Sequence, residues 1–326
     1  MTDFWKDSPR LEAQIAGVES IIVDTLRDPS YPLAGETAEM VLSGGKMLRP
    51  ALILIGAGFG KTEGRAEETD RIMRIAAAIE LLHSATLIHD DVLDNADTRR
   101  GTRTLHTRFG VVDAILAGDW LFSSCFRLIS ENADKKSAQV LSRLVGTVCS
   151  AEIRQDLGKF AFSTTARDYM RTIAGKTAAL FSLSLYVGAA ETRTPHGRTQ
   201  SLRRAGYNLG MAFQVIDDIL DYESSAGVMG KPVGNDLKEG LATLPLIYAM
   251  EKDRENIAPL LAVRPLDDDS VAAVISRVEV SGGLARARDT AARFTGRARR
   301  EIAHLPDLPA RSELSLLLDK LLARTY

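Results

Sequence analysis

The chain has 326 residues, 45% of them apolar and 26% charged, with 41 Lys+Arg set against 43 Asp+Glu for a formal net charge of -2. That is ordinary globular composition and makes no electrostatic case for a nucleic-acid binder. Two cysteines, Cys125 and Cys149, cannot build a disulfide framework, no basic-then-apolar leader opens the chain, and the longest apolar run, 51–60, is about half of the ~20 residues a membrane span needs. The expectation is therefore a cytoplasmic protein that is not integral to a membrane.

Helical periodicity dominates the chain. Ile72, Ile75, Ala76, Ile79 and Leu82 recur at three- and four-residue steps and lead directly into His83 and Asp90. The same spacing predicts helices over 114–129, 140–153, 169–189, 202–220, 243–250, 271–280, 284–302 and 314–322. Strand-like alternation is nearly absent. The breaks (61–70, 131–137, 191–200, 223–240, 263–270 and 304–310) are short and polar, and none has the composition of a domain linker. An all-α fold is expected, with residues 1–326 forming a single domain, a large helical bundle with a central cavity. The leucines at 314, 316, 317, 318, 321 and 322 read as a buried helix, because few basic residues frame them as a membrane-facing one would require.

Two acidic clusters interrupt this apolar pattern. Asp90-Asp91-Val92-Leu93-Asp94 ends the first long helix, and Asp217-Asp218-Ile219-Leu220-Asp221 recurs in a later one. Helical spacing puts Asp90 and Asp94 on one face, with Asp97 a further turn along and His83 almost two turns back. Asp217, Asp221 and Gln214 share a face in the second cluster. Like charges at this spacing destabilise a helix by roughly 0.2–0.5 kcal/mol, so folding gives no reason for the arrangement. Asp267-Asp268-Asp269, after Pro265, reads by contrast as a solvated polar loop. Paired hard oxygen ligands suit Mg²⁺ shared with substrate phosphates, and two such helices would make a jaw for a diphosphate. Zinc is disfavoured, since sulfur ligands and a tight histidine pair are both missing around His83 and His89.

Cations complete the pattern. Lys46 and Arg49 would stand one helical turn apart if a helix follows Gly44-Gly45, and Arg99-Arg100-Gly101 follows the first acidic cluster. Lys176-Thr177 lies within an apolar helix, and Gly230-Lys231-Pro232 follows the second cluster. A compact ammonium beside guanidinium forks suits phosphate oxygens.

Taken in order, these motifs resemble the trans-isoprenyl diphosphate synthases of the polyprenyl synthetase family. The likeness runs through Gly44–Pro50, Leu87–Asp94, Arg99–Gly101, Gly118-Asp119, Lys176–Ala178, Phe213–Asp221, Gly230–Pro232 and Gly240–Pro245. Two positions depart from the pattern: Leu241 stands where many members carry Lys, and Arg103 where Pro is common. The resemblance implies the type I isoprenoid synthase fold and a Mg²⁺-dependent prenyltransferase, with three ions when allylic substrate is bound. Asp90, Asp94 and Asp217 would ligate the metals, assisted by Asp91, Asp218 and Asp221. Arg99, Lys176 and Lys231 would hold the allylic diphosphate, and Thr177 and Gln214 would line the reacting carbons. Lys46, Arg49, His83 and Arg100 would hold isopentenyl diphosphate. A homodimer is implied as well; whether product release takes place adjacent to a membrane is left open by the sequence.

The implied reaction ionises the allylic diphosphate, adds isopentenyl diphosphate head to tail, and loses a proton to the released pyrophosphate. Product length should depend on the residues beneath the first cluster. Ala85 and Thr86 are small, where short-chain relatives tend to carry an aromatic floor, so a growing chain would pass Leu82 and Leu81 until Phe122 or Phe126 stops it. A medium- or long-chain product of roughly six to nine isoprene units is expected. A short-chain farnesyl or geranylgeranyl diphosphate synthase is the alternative, and Ala85 would then be only a close helix contact. A non-catalytic subunit of a heteromeric synthase would have lost acidic or basic positions that this chain keeps. A terpene cyclase would not need Lys46, Arg49 and Arg100. A His–Asp phosphohydrolase would need further ligands, and His106, His196 and His304 are poorly placed to supply them.

Overall fold

The expected helical spacing is realised as fifteen α-helices among the residues described by the computed structural model, 4–43, 45–61, 66–223, 233–262 and 264–322. They are α1 (Pro9–Leu26), α2 (Ala34–Leu42), α3 (Leu48–Ala57), α4 (Ala66–Leu93), α5 (Leu105–Phe109), α6 (Val111–Asn132), α7 (Lys135–Leu157) and α8 (Ala166–Ile173). Then come α9 (Ala179–Glu191), α10 (His196–Glu223), α11 (Asn235–Lys238), α12 (Leu244–Ile257), α13 (Asp268–Val280), α14 (Gly283–Ala303) and α15 (Pro309–Leu322). The only strands among the described residues are a two-residue hairpin, β1 (Thr98–Arg99) with β2 (Thr102–Arg103). The fold is all-α, as the periodicity requires.

The chain forms two compact units, the first made of Met1–Leu141, Leu183–Leu202 and Pro306–Leu314, the second of Ser142–Ser182, Arg203–Leu305 and Ser315–Tyr326. In the first unit α4 is the central element and packs along α1, α3 and α6. Ala76, Ala77, Ala78 and Ala85 of α4 and Ala114 and Ala117 of α6 are fully buried, small side chains that let helices approach closely. The α3–α9 contact depends on glycine: a Cβ on Gly188 would come within 2.0 Å of the Ile53 carbonyl, and one on Gly56 within 2.5 Å of the Leu185 carbonyl. The core of the second unit joins Tyr169 and Ile173 of α8, Val215 and Ile219 of α10, Leu246 of α12, Val274 of α13 and Ala287 of α14.

Three local readings need correction. The segment 169–189 is not one regular helix, because a π-turn, Ala174–Ala178, separates α8 from α9. Asp267, Asp268 and Asp269 are solvated as expected but are not a plain loop: the Asp267 side chain accepts the Ser270 N–H and caps α13, whose first turn contains Asp268 and Asp269. The break after Glu191 is shorter than expected, since α10 begins at His196. Stretches of α4 and of Ala166–Glu191 are long and apolar enough to cross a membrane, but 67% and 72% of those windows are buried, as in ordinary core helices.

Candidate active site

In the first unit α4 delivers His83, Asp90 and Asp91. The Asp94 N–H bonds the Asp90 carbonyl at 2.8 Å, so these two residues do stand one turn apart. Asn95 then enters the left-handed region at φ 49°, and the helix stops. Asp97 is therefore not another turn along that face; it lies in the turn before β1, and its carbonyl accepts the Thr104 N–H at 3.1 Å.

The members of the first cluster are treated differently. Asp91 is 2% exposed and accepts Arg99 Nε at 2.6 Å. Burial pushes its carboxyl up, against the pull of the Arg99 guanidinium. Asp90 is half-buried and Asp94 exposed. Arg99 reaches Asp91 because the hairpin turns through Arg100 and Gly101, both at positive φ (52° and 78°), which suits a two-residue loop.

The same turn sends Arg100 Nη1 to the Ser43 carbonyl at 2.9 Å. Gly45, in the loop that carries Lys46, lies against that guanidinium, so that a Cβ there would be 3.2 Å from Arg100 Nη1. Arg49 and Arg100 both act on Glu80, a buried carboxyl that burial pushes up and the two guanidiniums pull down. Burial, followed by Arg49, Arg100 and Arg99, pushes His83 well below its ordinary value, so its ring is neutral at pH 7. Arg49, falling to about 10 chiefly through burial, stays charged. Two of the four residues expected to hold isopentenyl diphosphate, Arg49 and Arg100, thus face Glu80, and the same two arginines act on His83. Sequence reasoning missed Glu80, whose one signal was a carboxyl alone in the apolar run 75–82.

In the second unit α10 repeats the pattern. Asp217 is exposed and Asp218 only 5% exposed. The Asp218 carboxylate accepts the Tyr169 hydroxyl and, at 2.8 Å, Gln214 Nε2, while Gln214 Oε1 accepts Thr177 Oγ1 at 2.7 Å. Burial raises the Asp218 carboxyl to about 7, opposed by the Tyr169 and Gln214 bonds. Thr177 and Lys176 lie in the π-turn, a distortion frequent at functional sites. Lys176 Nζ pairs with Glu152 Oε2 of α7 at 2.9 Å. Asp221 accepts the N–H groups of Asn235 and Asp236, both at 3.1 Å, at the start of α11. Tyr169, Glu152 and Asp236 were not legible as site residues, because each lies far in sequence from the carboxyl or ammonium it acts on. Lys231 lies outside the described residues, with Gly230, Pro232 and Gly44.

Of the residues expected to govern product length, Ala85 and Leu82 are buried and Thr86 is half-buried, its hydroxyl donating to the His83 carbonyl at 2.7 Å. Phe122 is half-buried, its ring 5.6 Å from that of His89, while Phe126 is 46% exposed. His89 donates Nε2–H to the Ile115 carbonyl at 3.1 Å. Cys125 is fully buried and its thiol is pushed up to about 12, which disqualifies it as a nucleophile near neutrality. Among the described residues no three His, Cys, Asp or Glu side chains form a ready-made metal cage. The outward carboxylates still fit Mg²⁺, which keeps waters and takes substrate phosphate oxygens to complete its shell.

Comparison with known proteins adds three findings. Residues 32–278 match the family model described as polyprenyl synthetase. Among curated relatives, heptaprenyl diphosphate synthase component 2 of Geobacillus stearothermophilus is 34% identical over 95% of this chain and 94% of its own length, and octaprenyl diphosphate synthase of Escherichia coli is 32% identical over 92% of each. The solved structure of a geranylgeranyl pyrophosphate synthase from Lactobacillus brevis superimposes with a TM-score of 0.91, at 32% identity and 99% coverage of both chains.

In metal-free protein the Asp218 carboxyl should titrate near neutrality. Its folded value lies above the unfolded one, so its contribution to stability is present at acid pH and is lost as pH rises through about 7. Tyr169→Phe deletes a bond to the ionised form and is expected to move this titration higher, at a cost of about 1–2 kcal/mol in stability. Carboxyl carbon NMR titration and urea denaturation check both; an unchanged Asp218 titration would refute the assignment.

Proposed function

Because this chain belongs to the polyprenyl synthetase family and is by that membership a trans-prenyltransferase, we propose that it condenses isopentenyl diphosphate with an allylic prenyl diphosphate through its two aspartate clusters. The observation that carries this reading is the parallel treatment of the clusters. In each, the second aspartate is buried and hydrogen-bonded, Asp91 to Arg99 and Asp218 to Tyr169 and Gln214, while Asp90, Asp94 and Asp217 keep access to solvent.

Asp90, Asp94 and Asp217 hold magnesium, three ions with allylic substrate bound, and Asp91, Asp218 and Asp221 brace them. The metal supplies positive charge that neutralises the departing pyrophosphate. Arg99, Lys176 and Lys231 bind the allylic diphosphate directly. The electron pair of the allylic C–O bond leaves with the pyrophosphate, and the double bond of isopentenyl diphosphate supplies the pair for the new C–C bond. The proton then lost goes to the released pyrophosphate. Thr177 and Gln214 set neutral polar groups beside the cation. Lys46, Arg49 and Arg100 hold isopentenyl diphosphate as charged donors, and His83 as a neutral one.

The product is a medium- to long-chain all-trans polyprenyl diphosphate, about six to nine isoprene units, its tail accommodated among buried apolar helices. Small, buried Ala85 beneath the first cluster supports that length. The protein acts as a homodimer in the cytoplasm and meets a membrane for product release. Val112, Ile115, Leu116 and Phe126 leave an exposed apolar stripe on α6 that a second copy would cover. A relative's name, component 2, favours a second reading in which a different polypeptide completes the assembly.

Purified protein incubated with Mg²⁺, farnesyl diphosphate and labelled isopentenyl diphosphate should yield a ladder ending at a long polyprenyl species. Asp90→Asn and Asp217→Asn should each lower turnover about 10²–10³-fold. Activity only after adding a partner would favour the heteromeric reading. Ala85→Phe should shorten the ladder; a variant merely less stable, by about 1–3 kcal/mol, with unchanged product length would reduce Ala85 to a packing contact. Leu116→Glu should sediment as a monomer if α6 forms the homodimer contact.

A further inference from the structure

The lysine of the Gly44-Gly45-Lys46 loop is held by residues far from any motif. Trp5 is only 5% exposed, and its indole Nε1 donates to the Lys46 carbonyl at 2.8 Å. Phe4 meets Trp5 edge to face, with centroids 4.8 Å apart and planes at 80°. The Lys46 ammonium lies 4.9 Å from the Phe4 ring centroid, within range for a cation–π interaction. One aromatic dipeptide thus grips Lys46 at its backbone and at its charge.

The loop needs such a grip. Two glycines precede Lys46, the backbone with most freedom to lose, and Met47 follows in the left-handed region at φ 48°. The dipeptide is itself anchored. Trp5 O accepts the Ser8 N–H at 2.8 Å, and Ser8 O accepts the Glu12 N–H at 3.0 Å, which ties it to the first turn of α1. That helix buries Leu11, Ile15, Val18 and Ile22.

We propose that Phe4 and Trp5 are positioning residues for Lys46, with Trp5 fixing the loop backbone and Phe4 orienting the ammonium, and that together they set the affinity for isopentenyl diphosphate. This rests on the reading that Lys46 binds that substrate. It predicts a selective effect, because neither aromatic residue belongs to the machinery that ionises the allylic substrate.

Steady-state kinetics on the full chain, varying each substrate, provide the test. Lys46→Ala should raise the KM for isopentenyl diphosphate. Trp5→Phe, which keeps the ring but removes the donor, should raise that KM about fivefold, the worth of one neutral hydrogen bond. Phe4→Leu should raise it about threefold and Phe4→Tyr should restore it, since only the ring is needed. Saturating kcat and the KM for farnesyl diphosphate should not move in the Trp5 and Phe4 variants. Trp5→Phe added to Lys46→Ala should have no further effect, since coupled residues are not additive. A parallel loss for both substrates, or full additivity with Lys46→Ala, would make Trp5 a mere packing residue and overturn the inference. An unchanged KM in Lys46→Ala would overturn the reading of Lys46 itself, and the inference with it.

Discussion

A carboxylate taken out of water must find donors, and in this protein that requirement falls on the second residue of each aspartate cluster. Asp91 and Asp218 are nearly inaccessible, and each is held by other side chains: Asp91 by Arg99 of β1, eight residues on, and Asp218 by Tyr169 of α8 with Gln214 one turn earlier on α10. The other aspartates of the same helical turns have no freedom to rotate inward, because the helix fixes their angular offset from the buried one. Burying one carboxylate therefore leaves Asp90 and Asp217, the residue before it in each cluster, with access to solvent. The hairpin with two positive-φ residues, the π-turn that presents Lys176 and Thr177, and the α11 start that takes Asp221 all serve to supply or orient donors around these carboxylates.

The two units solve the charge problem with different chemistry. Around Asp91 the compensation is ionic, from a guanidinium at 2.6 Å, and Glu80 nearby is likewise set against Arg49 and Arg100. Around Asp218 it is neutral, from a phenol and an amide, and its carboxyl rises to about 7. Ionic compensation suits a region rich in cations meant for an anionic ligand. His83 shows the consequence there: buried and set beside arginines, its ring takes up no second proton at pH 7 and contributes direction rather than charge.

Much of this was legible in the sequence, for identifiable reasons. Apolar residues at three- and four-residue steps announced α4, α6, α10 and α14, and paired aspartates on apolar helices have no folding purpose, so they pointed to metal and diphosphate. What stayed hidden depends on tertiary contact or on chain geometry that periodicity does not encode. Asp97 was misplaced because Asn95 leaves the helix at positive φ, a single-residue event. Asp267 looked like loop because its capping role is set by one side-chain bond to the Ser270 N–H. Glu80, Tyr169, Glu152 and Trp5 act on partners from 20 to more than 40 positions away, and no local pattern marks them.

The direction of the hydrogen bonds in the second unit bears on how a carbocation is handled. The Asp218 carboxylate accepts from the Gln214 amide nitrogen, which forces the amide oxygen toward Thr177, and the Thr177 hydroxyl then spends its proton on that oxygen. Each bond fixes the polarity of the next, so the series runs from a buried carboxylate to a hydroxyl whose remaining lone pairs form its outer end. On the reading of Thr177 as a residue lining the reacting carbons, an oriented, neutral oxygen dipole is what the site offers a developing positive charge. It attracts the cation, yet it has little nucleophilicity, because its proton is committed to the amide and no base adjoins it. A histidine or thiolate in the same position would bring a strong lone pair and the prospect of alkylation. Cys125, held as a thiol by burial, is kept from such a role.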